Sequence, residues 1–95
     1  MKIMILGADG YLGWPTSVDL ASQNHDILLI DNFTKKKLLK QYKRAPLVEN
    51  DVVSKRIKLL KNKNNSISFK DIDCADHSKF SKVFKKFKPD AVIHY

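Results

Sequence analysis

The stretch Gly7-Ala8-Asp9-Gly10-Tyr11-Leu12-Gly13 constrains the fold of this chain more than any other. Its three glycines, spaced by three residues, follow the apolar run Ile3-Met4-Ile5-Leu6 and lead into a segment that can be helical. At a strand-to-helix junction each glycine has a steric job: one turns the chain tightly, one admits an anion to bare backbone, and one lets helix and strand pack closely. The first amides of the helix have no intrahelical acceptor and carry partial positive charge, which suits a pyrophosphate. A glycine pattern alone is weak, so its surroundings decide.

Those surroundings alternate. Lys2 to Leu6 reads as a short buried strand, Tyr11 to about Gln23 as a helix, and Ile27 to Asp31 as a second buried strand. Pro15 is tolerated because it falls in the first helical turn, where amides lack partners. Phe33 to Asn65 has no strand signal. It holds a predicted helix from Asp51 to about Lys61, with Val52, Val53, Ile57 and Leu60 on one side, separated by Pro46 from a lysine-rich part. Asn62-Lys63-Asn64-Asn65 reads as a turn, and Ile67 and Phe69 mark a third strand running towards Asp71-Ile72-Asp73. Phe80, Val83, Phe84 and Phe87 then recur at helical spacing, with Asp76 or Ser78 as candidate caps and Pro89 beyond the end. Ala91 to His94 is the fourth strand. The order β-α-β-α-β-α-β predicts an α/β parallel sheet with right-handed crossovers and strand order 3-2-1-4, a partial Rossmann fold. At 95 residues, the chain is expected to be the N-terminal part of such a domain.

Composition removes other classes. A hydrophobic content of 43% is too high for a disordered chain. The single cysteine, Cys74, allows no intrachain disulfide and fits a reducing compartment. No segment approaches the roughly 20 apolar residues that span a bilayer, and Ile3 to Leu6 is too short for a secretory signal core. The expectation is a cytoplasmic protein without a membrane partner. The net charge of +8 raises the question of nucleic acid, but the lysines spread from Lys35 to Lys88 and no aromatic residues alternate with them as stacking platforms would require. A solvated basic surface is the expected reading, with no nucleic-acid partner.

Asp31 ends the second strand 24 residues after Gly7, near the roughly 20-residue spacing at which a carboxylate accepts from adenosine ribose hydroxyls. Such a carboxylate repels a 2′-phosphate and favours NAD over NADP; Lys35 and Lys36 soften that preference. Asp73, at the end of the third strand, is a candidate for the adenine amine, with Asp71 and Asp76 as rivals. Tyr11 and Leu12 are expected to offer backbone amides to the pyrophosphate while their side chains pack. Trp14 either packs or touches a ligand. His25 is a candidate cap for the first helix, His77 is expected to be solvated, and His94 stands at a strand end near the cleft. No His, Cys, Asp and Glu cluster has metal-ligand spacing, and Cys74 has no adjacent base to make it a nucleophile.

Gly7-x-x-Gly10-x-x-Gly13, Asp31-Asn32 and Pro89-Asp90-Ala91-Val92-Ile93-His94 together make the chain resemble the amino-terminal part of an extended short-chain dehydrogenase/reductase of the NAD-dependent epimerase/dehydratase group. Within that group, Asp9-Gly10-Tyr11-Leu12-Gly13-Trp14 is similar to the UDP-sulfoquinovose synthase branch, where the tryptophan replaces a small residue. The resemblance implies an NAD site built from Gly7, Gly10, Tyr11, Leu12, Gly13, Asp31, Asn32, Phe33, Thr34, Arg56, Asp73 and Cys74. It favours Asp73-Cys74 for adenine, counted from Phe69, although Ile72 and Cys74 replace the family's glycine and isoleucine. It also implies hydride removal from C4 of a UDP-sugar, followed in the branch by loss of water, addition of sulfite and return of the hydride, in an enzyme that is often homodimeric. The tyrosine base of such chemistry needs a lysine four residues on; Pro15 and Pro46 stand there after Tyr11 and Tyr42, so no catalytic residue is assigned. The alternatives are a UDP-sugar 4-epimerase, a sugar-nucleotide dehydratase, a non-catalytic NAD-binding module and, remotely, a basic nucleic-acid-binding protein.

Overall fold

Apolar residues fill both faces of β1 (Lys2–Leu6) and β2 (Asp26–Asp31), so these strands must be covered on both sides. A computed structural model describes residues 1–32 and 53–94 of the chain. The remaining elements are α1 (Gly13–Ala21), α2 (Val53–Lys63), β3 (Ile67–Asp71), α3 (His77–Phe87) and β4 (Ala91–His94). The four strands form one parallel sheet in the order β3-β2-β1-β4, as the alternation predicts.

Side-chain alternation sorts the core into two layers. Ile3, Ile5, Ile27, Leu29 and Ile67 face one way and pack with Ala21 of α1 and Leu60 of α2, joined by Trp14, Val18 and Phe69. Met4, Leu6, Leu28 and Ile30 face the other way, against Ile72 and the Phe80, Val83 and Phe87 stripe of α3. Burying each large side chain contributes about 1.5–3 kcal/mol. The two layers gain unequally, because no residue of α3 is fully buried and Phe84 remains 41% exposed.

The element ends differ from the sequence expectation in small, explicable ways. Helix α1 begins at Gly13 rather than Tyr11, because Tyr11 and Leu12 belong to the turn. It stops at Ala21 rather than Gln23: the Gln23 and Asn24 amides bond only three residues back, to the Leu20 and Ala21 carbonyls, and Asn24 turns left-handed at φ 58°. Helix α2 runs on through Asn62 and Lys63, which the sequence reading placed in a turn. Asn64 explains the later stop. Its buried amide group donates to the His25 carbonyl (2.7 Å) and its Oδ1 accepts from the Ser66 amide (2.9 Å), tying the end of α2 to the chain between α1 and β2. Asp51 and Val52 lie outside the described residues. Of the two candidate caps for α3, Asp76 holds the position, accepting from the Lys79 amide at 3.2 Å. β4 is tied to the amino end of β1, where the Lys2 amide donates to the Asp90 carboxylate (2.7 Å) and the Asp90 amide to the Lys2 carbonyl (2.7 Å).

The tightest approach in the fold is α1 crossing the end of β1. A Cβ on Gly13 would lie 2.0 Å from the Gly7 carbonyl oxygen, a backbone atom with nowhere to move. Gly13→Ala is therefore expected to cost about 3 kcal/mol through enforced backbone displacement. Urea denaturation followed by circular dichroism measures it, and an unchanged midpoint would refute this crossing.

Candidate functional site

Parallel register brings the carboxyl ends of the strands to one edge. Leu6 pairs with Ile30 on one side and His94 on the other, and Asp31 pairs with Asp71. The chain leaves β1 through Gly7, whose φ of +74° is the left-handed conformation that favours glycine. The amides of Gly7 and Ala8 both donate to the Ile30 carbonyl, at 2.9 and 3.2 Å. The Gly10 amide closes the turn on the Gly7 carbonyl (3.0 Å), and the Trp14 amide takes the Gly10 carbonyl (3.0 Å) as α1 begins. Among the described residues, the amides of Tyr11, Leu12 and Gly13 donate to no protein acceptor. The N-cap of α1 is Leu12, which supplies no side-chain acceptor, and the first turn holds no acidic residue. A helix start left uncapped in this way presents its donors to an external anion.

Tyr11 and Leu12 depart from the sequence reading. Their side chains do not pack: they are 86% and 52% exposed, because α1 starts after them and neither joins the helical face that meets the sheet.

Asp31 is half-buried beside the loop, and its Oδ2 accepts from the Asp9 amide at 2.9 Å. That bond fixes the carboxylate against the glycine turn. Asn32 follows, half-buried, while Phe33 and Thr34 lie outside the described residues. Past β3, Asp73 is exposed and its Oδ1 accepts from the Ala75 amide (2.9 Å), forming a tight turn into α3. Asp71 stands opposite Asp31 in register, and Asp76 is engaged as the α3 cap. Cys74 is exposed, and its thiol is pushed above the ordinary cysteine value by partial burial, then by the charges of Asp73 and Asp31. Both carboxylates act on the thiol in the same direction, opposing its ionisation.

Arg56, on α2, is buried. Its Nη1 lies 2.8 Å from the Asp9 carboxylate and 3.4 Å from the Asp9 carbonyl oxygen, and its guanidinium sits 4.6 Å over the Trp14 ring. Trp14 thus packs against the α1/α2 core while carrying Arg56 on its face. Sequence reasoning passed over Asp9, because a carboxylate within an anion-binding turn has no obvious role until its cation is seen. His25 offers its carbonyl to Asn64, and Asn64 rather than the His25 side chain reaches the end of α1, at the Ala21 carbonyl (3.4 Å). His77 is exposed at the start of α3, and His94 is exposed at the end of β4.

A groove of about 500 Å³ opens near the amino ends of β1 and β2 and is lined by Lys2, Asp26, Lys70 and Phe87 among others. None of the glycine-turn residues borders it. The chemistry-bearing side chains gather at the opposite ends of the strands, and that convergence, not cavity size, locates the site.

The family model of the NAD dependent epimerase/dehydratase family matches residues 3–95. The chain belongs to that family. UDP-sulfoquinovose synthase of Sulfolobus acidocaldarius is 28% identical over 96 residues, covering 100% of this chain and 24% of that protein. UDP-glucose 4-epimerase of Caenorhabditis elegans is 30% identical over 94 residues, covering 99% of this chain and 25% of that protein. The structure of the Bordetella bronchiseptica enzyme WbmG in complex with NAD superposes with a TM-score of 0.65 at 28% identity, covering 100% of this chain and 24% of that one. The chain spans about a quarter of the length of the curated relatives it matches. The family is NAD-dependent and enzymatic. No helix among the described residues is long and apolar enough to cross a membrane.

The raised Cys74 pKa leaves less thiolate at any given pH near 8 than an ordinary thiol of pKa about 8.5 has. Alkylation by iodoacetamide at pH 8, followed by mass spectrometry, is expected to run slower than for free glutathione. Asp73→Asn should accelerate it by removing one of the charges that oppose the thiolate. Equal rates in the wild type and the variant would contradict this arrangement.

Proposed function

We propose that this chain is the NAD-binding amino-terminal portion of a nucleotide-sugar enzyme of the epimerase/dehydratase family. One observation carries the reading: among the described residues the amides of Tyr11, Leu12 and Gly13 find no protein acceptor, and the same turn holds a carboxylate, Asp31, by hydrogen bond. Donors without acceptors suit a pyrophosphate, and a carboxylate held at the end of the second strand suits a ribose diol. In this assignment Gly7, Gly10, Tyr11, Leu12 and Gly13 form the pyrophosphate cradle. Asp31 and Asn32, with Phe33 and Thr34, receive the adenosine ribose, and Asp73 and Cys74 border the adenine. Arg56 stands behind the cradle against Asp9 and Trp14.

NAD bound here supplies a hydride acceptor for a sugar carbon. The chain's own residues bind and orient the adenylate half, and no side chain among the described residues is assigned to the reacting carbon. For the parent enzyme we propose UDP-sulfoquinovose synthase, acting on UDP-glucose and sulfite through a 4-keto intermediate. The reading is supported by Trp14 directly after the third glycine and by the Sulfolobus acidocaldarius relative. The Caenorhabditis elegans relative supports a second reading, a UDP-sugar 4-epimerase. Either is proposed as a cytoplasmic enzyme, with homodimerisation as in much of the group. A coding sequence that continues into a Tyr-x-x-x-Lys would support catalysis by the same polypeptide, and one without it would leave an NAD-binding module.

Isothermal titration with NAD and NADP tests the site. Gly10→Val should abolish binding of both, because a Cβ there already lies 3.1 Å from the Gly7 carbonyl oxygen and the added methyls fill the phosphate approach. Asp31→Ala should weaken NAD about tenfold or more, in line with loss of hydrogen bonds to a charged group worth about 1.5–3 kcal/mol. NADP should lose less, since the carboxylate that repels its 2′-phosphate is also gone. Equal losses would undo the ribose assignment.

A further inference from the structure

We infer that Asp9 and Arg56 form a specificity device: Asp9 neutralises the Arg56 guanidinium beside the ribose carboxylate and so keeps the site from attracting a 2′-phosphate. This rests on the reading of the glycine turn and Asp31 as a dinucleotide site.

The geometry links the three groups through one residue. Asp9 donates its amide to Asp31 Oδ2 at 2.9 Å and accepts Arg56 Nη1 on its carboxylate at 2.8 Å, while its carbonyl oxygen lies 3.4 Å from the same Nη1. The guanidinium is therefore one residue's breadth from the carboxylate that receives the ribose. The pair is shielded: the Asp9 and Arg56 side chains are each 9% exposed, and Trp14 closes one guanidinium face at 4.6 Å. At such depth solvent and salt screen charge poorly, so the net charge of the pair is felt at the neighbouring ribose position.

Arginine is also the side chain best matched to a phosphate, with a planar fork that stays charged at any working pH. Placed next to a ribose without a counter-charge, it would recruit a 2′-phosphate. Paired with Asp9, its charge is compensated, and the Asp31 carboxylate can weigh against a 2′-phosphate. Asp9 is thus a positioning residue for both partners: its backbone holds Asp31 and its carboxylate holds Arg56.

The test is the ratio of NAD to NADP affinity, which cancels any general loosening of the turn. Titrations use the full chain as wild type, Asp9→Asn, Arg56→Met and the double variant. Asp9→Asn leaves a net positive pair and should cut the preference for NAD about tenfold. Arg56→Met keeps an apolar chain on Trp14 but removes the positive charge beside Asp9, so the preference should rise. The double variant should return to within twofold of wild type. Circular dichroism reports folding. Should Asp9→Asn unfold the chain, the opposite-signed shift in Arg56→Met decides by itself. Variants that bind both dinucleotides more weakly at an unchanged ratio would show a structural pair only and overturn the proposal. A wild-type chain that binds neither would overturn the dinucleotide site itself, a result visible before any variant is made.

Discussion

The close crossing of α1 over the end of β1 is the constraint on which the rest of the structure depends. Gly13 brings its backbone against the Gly7 carbonyl at a distance that excludes any side chain, and Gly7 turns the chain through a left-handed conformation to allow it. Together these two positions set the start of α1 at the strand ends. Among the described residues, the amides of Tyr11, Leu12 and Gly13 are left with no protein acceptor. A conventional Ser or Asp cap would satisfy those donors from within. Leu12 in that place supplies no side-chain acceptor.

Everything else in the fold holds that crossing in position. The α1/α2 layer is the more deeply buried of the two, with Ile5, Ala21, Ile27 and Leu60 almost free of solvent. Asn64 anchors its far end by joining α2 to the segment after α1. The α3 layer is shallower. Its phenylalanine stripe covers Met4, Leu6, Leu28 and Ile30 without being fully covered itself. Rigidity is therefore concentrated beneath the glycine turn, where preorganised donors matter most for binding a charged ligand.

Asp9 is the junction of the site. Its amide reaches Asp31 on β2, its carboxylate reaches Arg56 on α2, and the Arg56 guanidinium rests on Trp14 of α1. Three elements of the fold thus meet through one residue of the turn. Replacing any member disturbs the others, and this argues for ratios and paired variants over single losses when roles are apportioned.

The sequence by itself determined the α/β class, the strand order and the location of the turn. Each follows from local physics: apolar runs too short for helices, a helical period in Phe80, Val83, Phe84 and Phe87, and glycines where a side chain would collide. Family membership was legible too, because spaced motifs carry it. Helix ends were less legible, since the end of α2 depends on Asn64 bonding across the fold to the His25 carbonyl. Only the tertiary structure decided that Tyr11 and Leu12 stand in solvent, that Trp14 supports a guanidinium, and that Cys74 feels Asp31 from across a strand end. The Arg56–Asp9 pair is the plainest case, joining residues 47 positions apart. Such contacts arise from sheet register and helix placement, which sum over the whole core, so no local pattern in the sequence carries them.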